Sequence, residues 1–190
     1  MAADARGAAL AGSLFAPTQT YVSLDAFDGG TIVGTAGVNV IRITGDSALK
    51  ISLTLSGTAT SSFIFQFTSP TTAGHTILSL SGMTMNIGAI NPDNIYWDFN
   101  GLGGDVSITS MADGQTVYGN FLAPDRNITS DHGIVVGRLI GGGSGTLLEI
   151  HSGSEITTPG GQVPDGGSTL ALLGLALVGL GLVRFRKTTG

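Results

Sequence analysis

The sequence predicts an all-β body, wound as a β-solenoid, that ends in a C-terminal apolar helix. Two observations predict the body. Short runs with apolar residues at every second position recur about every 10–13 residues, and glycine, proline, asparagine and aspartate separate them. The outward positions of those runs are Ser, Thr, Gln and Asn with few charges, and charged residues make up only 11% of the chain. A third observation predicts the tail: the run 169–183 carries no charge and is followed at once by Arg184, Arg186 and Lys187.

The strands follow in order. Residues 51–55 alternate with apolar side chains on odd positions, and 63–67 keep Phe on odd positions. The pattern returns at 78–80, 83–87, 95–99 and 106–108, then at 117–122, 126–129, 133–139 and 147–150. A period of two places one face inward and one outward. Turn residues break the runs at Gly57, Ser69-Pro70, 91–94, 101–104, Asp113-Gly114 and 141–145. A sandwich and a barrel share this spacing, and no strict repeat decides among them. A stack of coils suits the sparse charge and the many glycine turns, because each coil buries its inward residues on the next. No helical segment is evident outside the tail.

The body is acidic. Five of the eight basic residues (Arg6, Arg42, Lys50, Arg126, Arg138) precede Val163, together with twelve of the thirteen acids. Nucleic acid is a poor partner for such a surface, since it requires a basic patch. The chain has no cysteine, which excludes disulfides and thiolate metal sites. At the start, Arg6 and the small-residue run 8–16 read as the remnant of a signal peptide or as a disordered segment. The expected organisation is that segment at 1–16, a β domain at 17–156, a linker with the sorting motif at 157–167, a span at 168–183 and a basic cytoplasmic tail at 184–190.

As a helix, 169–183 would rise about 22 Å, and with Gly166 to Ser168 about 27 Å, close to the ~30 Å of a bilayer core. Leu170, Leu172, Leu173, Leu175, Leu177, Leu180 and Val183 would hold it in lipid. Arg184, Arg186 and Lys187 would keep that end on the cytoplasmic side. Pro164 fixes φ and lacks an N–H, so it separates body from helix.

Val163, Pro164, Asp165, Gly166 and Gly167, the apolar helix and the Arg-Phe-Arg-Lys cluster together resemble the VPDSG variant of the PEP-CTERM sorting signals. That resemblance implies an exosortase-type membrane processing enzyme as partner. It also implies a Gram-negative host, an inner-membrane precursor, cleavage near the motif, and delivery to the cell surface or extracellular matrix. A second resemblance rests on LTLSG at 53–57, FIFQF at 63–67, NIYW at 94–97, GNFLA at 119–123 and GRLI at 137–140. In that order they resemble the ice-binding-like family of bacterial adhesins and antifreeze proteins. This implies a right-handed parallel β-solenoid with a helix alongside. The stretch from Ala123 through His151 is also similar to the choice-of-anchor A surface domains.

Candidate chemistry is sparse. The run 141–145 lacks the Gly-Lys-Ser/Thr ending of a phosphate cradle and reads as a turn. His75, His132 and His151 show no paired-ligand spacing; Asp131-His132 or Glu149 with His151 would form a dyad only if a nucleophile converged on them. Asp98, Asn100 and Asp105 flank a glycine turn of the kind that offers oxygen ligands to calcium. No metal or cofactor and no catalytic residue is expected. Asn127-Ile128-Thr129 is a glycosylation sequon by pattern, but is expected to pair within a strand. The expected ligand face consists of the outward Ser52, Thr54, Ser56, Thr84 and Asn86, with Tyr96, Tyr118 or Arg126 at its edge. The expected role is a structural or adhesive component of the cell surface or matrix, in contact with exopolysaccharide; the alternative is ice binding.

Overall fold

The computed structural model describes residues 7, 11–12, 14–68, 75–112, 114–143 and 145–159. The sorting motif, apolar run and basic cluster expected at 163–187 lie outside the described residues. Among the described residues no helix is long and apolar enough to cross a membrane. Residues 1–159 form one compact unit of their own.

Among the described residues fifteen strands form three sheets, and every pair is parallel. The largest sheet runs β1 (Gln19–Tyr21), β3 (Gly37–Ile43), β6 (Ser61–Phe67), β9 (Ile95–Phe99), β11 (Val117–Leu122), β13 (Ile134–Ile140) and β15 (Glu155–Thr157). The second runs β14 (Leu148–Ile150), β12 (Ile128–Asp131), β10 (Asp105–Thr109), β7 (Thr76–Ser81) and β4 (Ser47–Leu49). The third runs β2 (Gly30–Val33), β5 (Ser52–Ser56) and β8 (Thr84–Asn86). Successive strands step from sheet to sheet, and each pairs with the strand one turn of chain later. This is a coil stack, as the residue pattern predicted.

The coils are unequal. In the seven-stranded sheet the register offset is 22 residues (Gln19 with Ile41), 24 (Gly37 with Ser61) and 32 (Phe63 with Ile95). It then becomes 24 (Tyr96 with Asn120), 18 (Val117 with Val135) and 21 (Ile134 with Glu155). Later coils drop the three-stranded sheet, which ends at β8. The sequence pattern located ten of these strands to within about two residues. Five strands were not picked out: Gln19–Tyr21, Gly30–Val33, Ser47–Leu49 and Glu155–Thr157 are three or four residues long, too short to show an alternation, and in Gly37–Ile43 the apolar residues shift from even positions (Val38, Val40) to odd ones (Ile41, Ile43).

Parallel in-register pairing sets like positions of neighbouring strands about 4.8 Å apart, which suits flat rings. Phe65, Trp97 and Phe121 are register partners, and their rings stack with centroids 4.3 and 5.3 Å apart. Phe67 stacks on Phe99 at 4.5 Å beside them. All five rings are buried, and the Trp97 indole N–H donates to the Tyr118 carbonyl at 2.9 Å. Gly119 and Gly137 are paired inward positions where two strands approach closely. A Cβ on Gly137 would overlap the Gly119 carbonyl oxygen, and one on Gly119 would come within 2.8 Å of the Ile95 carbonyl oxygen.

Candidate functional site

Each sheet presents an outward face, and the three differ. On the three-stranded sheet the expected ligand residues come together. Thr54 of β5 lies between Thr31 of β2 and Asn86 of β8, and Ser52 lies beside Thr84. Ser56 pairs with Val33. The Asn86 amide reaches the Thr54 hydroxyl at 3.5 Å. All five expected residues therefore share one face, with Thr31 added to the row.

A wider face of the same kind lies on the five-stranded sheet. One register row is Ala48, Ser79, Ser107, Thr129 and Glu149, and a second is Ser81, Thr109 and Asp131. Neighbours in a row sit about 4.8 Å apart, and the two rows about 6.7 Å apart. The inward partners, Leu78, Leu80, Val106, Ile108 and Ile128, are buried and hold the sheet against the core. The sequence signal was present in part: TILSLS and DVSIT carry hydroxyls at alternate positions (Ser79 and Ser81, Ser107 and Thr109), whereas in ITSD Thr129 is outward and its neighbour Ser130 is buried. Only the register showed that they form one surface.

The outer face of the seven-stranded sheet is covered instead. Ala11 and Gly12 are helical, and the segment through Phe15 lies on this face. Gln66 donates its amide N–H groups to the Gly12 carbonyl at 2.7 Å and the Phe15 carbonyl at 2.9 Å. Its carbonyl oxygen accepts from Arg42 at 3.3 Å. In the same register row comes Asp98, then Leu122. Asp98 points outward from β9, yet is only 1% exposed, and neither carboxylate oxygen has a hydrogen-bond partner. Burial raises its pKa to about 7. Alternation alone would read Gln66 and Asp98 as solvated.

Of the expected edge residues, Tyr96 is 36% exposed and Tyr118 half-buried, but Arg126 is not at an edge. It is 1% exposed, and its guanidinium donates to the carbonyls of Gly104 at 3.2 Å and Asn100 at 3.4 Å. Desolvation lowers its pKa, with Asp105 and Asp46 opposing. The glycine turn considered for calcium is thus closed around a fixed side-chain cation. The histidines are dispersed: His132 contacts Asp131 at 2.8 Å, His75 contacts Asp46 at 3.0 Å, and His151 contacts Glu149 at 3.6 Å. Among the described residues no three His, Cys, Asp or Glu side chains are grouped to hold a metal ion.

Comparison with known proteins gives two family matches. The ice-binding-like adhesive domain family matches residues 8–152, and the VPDSG-CTERM motif matches residues 162–187. These families are named for adhesion and for a C-terminal motif, not for catalysis. No curated protein matches the chain. Among solved structures, an ice-binding protein from an Antarctic ascomycete, Antarctomyces psychrotrophicus, is similar with a TM-score of 0.54 at 20% identity. The match covers 85% of this chain and 70% of that one, and at such identity it shows the fold.

Proposed function

Because this chain belongs to the ice-binding-like adhesive domain family, we propose that it is a surface-exported adhesion protein whose serine and threonine faces bind a hydroxyl-rich matrix, such as exopolysaccharide. One observation carries the reading: the two register rows on the five-stranded sheet set five short hydroxyl side chains, Ser79, Ser107 and Thr129 in one and Ser81 and Thr109 in the other, in a regular array. Hydroxyls donate and accept at once, so a hydroxyl row about 10 Å long, from Ser79 through Ser107 to Thr129, can match the repeating hydroxyls of a sugar chain. Each single contact is weak, and many in register add up. The scaffold holds them rigidly, which limits the ordering cost of binding.

The tail supports export. In this reading an exosortase-type enzyme acts at Val163 to Gly167. The apolar run holds the precursor in the inner membrane, and Arg184, Arg186 and Lys187 stay cytoplasmic. A right-handed winding is the expected sense, since parallel crossovers on twisted strands are right-handed almost without exception.

The second reading is ice binding, favoured by the Thr31–Thr54–Asn86 row, where neighbouring hydroxyl and amide groups are spaced regularly across three strands. The two readings separate by experiment. Residues 1–159 are tested for binding to immobilised exopolysaccharide and for inhibition of ice recrystallisation. Two double variants are compared, Thr54→Tyr with Thr84→Tyr and Ser107→Tyr with Thr129→Tyr. Polysaccharide binding lost only in the second variant supports matrix adhesion through the five-stranded face. Recrystallisation inhibition lost only in the first makes ice the ligand. A folded protein with neither activity overturns both.

A further inference from the structure

We propose that the C-terminal end of the coil stack is a self-association surface, where the free edge of β14 pairs antiparallel with β14 of a second copy of this chain. The two ends of the stack differ. At the first coil the core is closed: Leu24 and Ile32 are 0% and 1% exposed, and the Tyr21 ring packs edge-on against Phe27. The edge of β4 is closed too. Asp25 accepts from the Ala48 N–H at 2.6 Å, and Asp28 accepts from those of Lys50 and Ile51 at 3.0 and 2.8 Å. Carboxylates on an edge block the addition of another strand.

At the last coil neither device is present among the described residues. Two inward columns run Leu78, Val106, Ile128, Leu148 and Leu80, Ile108, Ser130, Ile150. Every member is buried except the last of each: Leu148 is 38% exposed and Ile150 53%. The end of a solenoid calls for a cover, and this last rung is apolar and open. β14 also ends its sheet. The Leu147 carbonyl accepts from Ile128 at 2.9 Å, and the His151 N–H donates to the Ser130 carbonyl at 2.8 Å. Backbone groups of successive residues point to opposite sides of a strand. Those of Leu148 and Ile150 therefore turn away from β12, toward the open edge.

A second copy meets both needs. Head-to-tail addition would set this end against the capped first coil, whereas pairing of like ends avoids the caps and closes as a two-fold dimer. With Ile150 opposite Ile150 of the second copy, the two residues exchange N–H···O bonds and their side chains meet on the inner face. On the outer face Glu149 then stands opposite His151 of the second copy, and the reverse. Setting Leu148 opposite Ile150 instead would bring the two Glu149 side chains together, which like-charge repulsion disfavours. Glu149 and His151 lie 3.6 Å apart within one chain, so the chosen register gathers two carboxylates and two imidazoles in alternation. The join continues the five-stranded sheet, and the rows Ser79, Ser107 and Thr129 of both copies face the same side. Where that face is the matrix contact, a consequence that rests on the adhesion reading above, pairing doubles the array and raises avidity.

Sedimentation velocity on residues 1–159 tests the pairing. A monomer–dimer equilibrium is expected, with Kd on the order of 10–100 μM for so small an interface. Ile150→Lys should weaken it by about tenfold or more, as a lysine does on a bare edge. At pH 6, where imidazole is largely protonated, Glu149→Lys and His151→Glu should each weaken the dimer several-fold. The double variant should recover most of that loss, because it restores opposite charges across the join. Circular dichroism confirms that each variant is folded. A monomer up to about 1 mM, a dimer indifferent to Ile150→Lys, a double variant no tighter than the single ones, or oligomers that grow beyond two copies would each overturn the assignment. No polysaccharide enters this experiment, so its failure is distinct from a failure of the adhesion reading.

Discussion

The five-stranded sheet and the seven-stranded sheet are built from the same kind of alternating strand, but their outer faces differ. On the first, Ser79, Ser107 and Thr129 stand in a row that remains partly open to solvent. On the second, Arg42, Gln66 and Asp98 stand in an equivalent row, and Gln66 and Asp98 are almost wholly buried, with Gly12 and Phe15 against Gln66 and Gly12 against Asp98. The period of two determines which side chains leave the core. What happens outside it depends on whether another segment crosses the face. An outward polar residue therefore has two fates: a weak, solvated contact or a buried group with a large energetic consequence.

The difference is tested first at Asp98, where the largest effect is expected. Its folded pKa of about 7 lies above the ordinary 3.8. The neutral form is the one the fold favours, so the full contribution to stability is present below about pH 4. It is lost as pH rises through 7, with a ceiling of roughly 4 kcal/mol. Urea melts of the wild type should weaken between pH 4 and pH 8, and Asp98→Asn in the same buffers should remove most of that slope. A wild-type profile matching the variant's would mean that Asp98 is solvated and the covered face is open.

Gln66 gives the next effect. Gln66→Ala leaves two carbonyls of the covering segment without donors and should cost about 1–3 kcal/mol. Hydrogen exchange should show amides near Phe15 losing protection while those of the Phe65–Trp97–Phe121 ladder keep theirs. Equal loss in both places would show that the segment and the coils unfold as one unit.

This contrast also explains what the sequence could show. Alternation identified Ile95–Phe99 and Val117–Leu122 to the residue because Ile95, Trp97 and Phe99, and Val117 and Phe121, stand on odd positions and are buried. It could not count coils, since the offset between paired strands swings from 18 residues at Val117 to 32 at Phe63. Extra residues enter as loops at corners, where a solenoid tolerates them, and erase the repeat. The face at Ser52, Thr54, Ser56, Thr84 and Asn86 was legible because those residues lie on outward positions of two strands that neighbour each other in space. The wider array was not, because Ser79, Ser107 and Thr129 are united only by register. Arg126 was misread for a related reason: between Pro124-Asp125 and Asn127 a charged residue suggests exposure, whereas this one reaches into the glycine turn of the preceding coil and fills it from inside through the Gly104 and Asn100 carbonyls.

The smallest expected effect on stability belongs to the open face. Ser107 and Thr129 are adjacent in one register row, flanked by Ser79 and Glu149, and among the described residues their side chains make no long-range hydrogen bond. Replacing both by Lys adds charge and bulk on the solvent side and leaves the buried Val106, Ile108 and Ile128 untouched. Substitutions of this kind usually stay within about ±0.5 kcal/mol, so the denaturation midpoint should hardly move. Adhesion should respond strongly, because two long side chains lift any flat ligand off the whole array. A folded double variant that still binds polysaccharide would exclude the five-stranded face as the contact. A variant that unfolds would show that this row, like the covered one, is supported by contacts on its outer side.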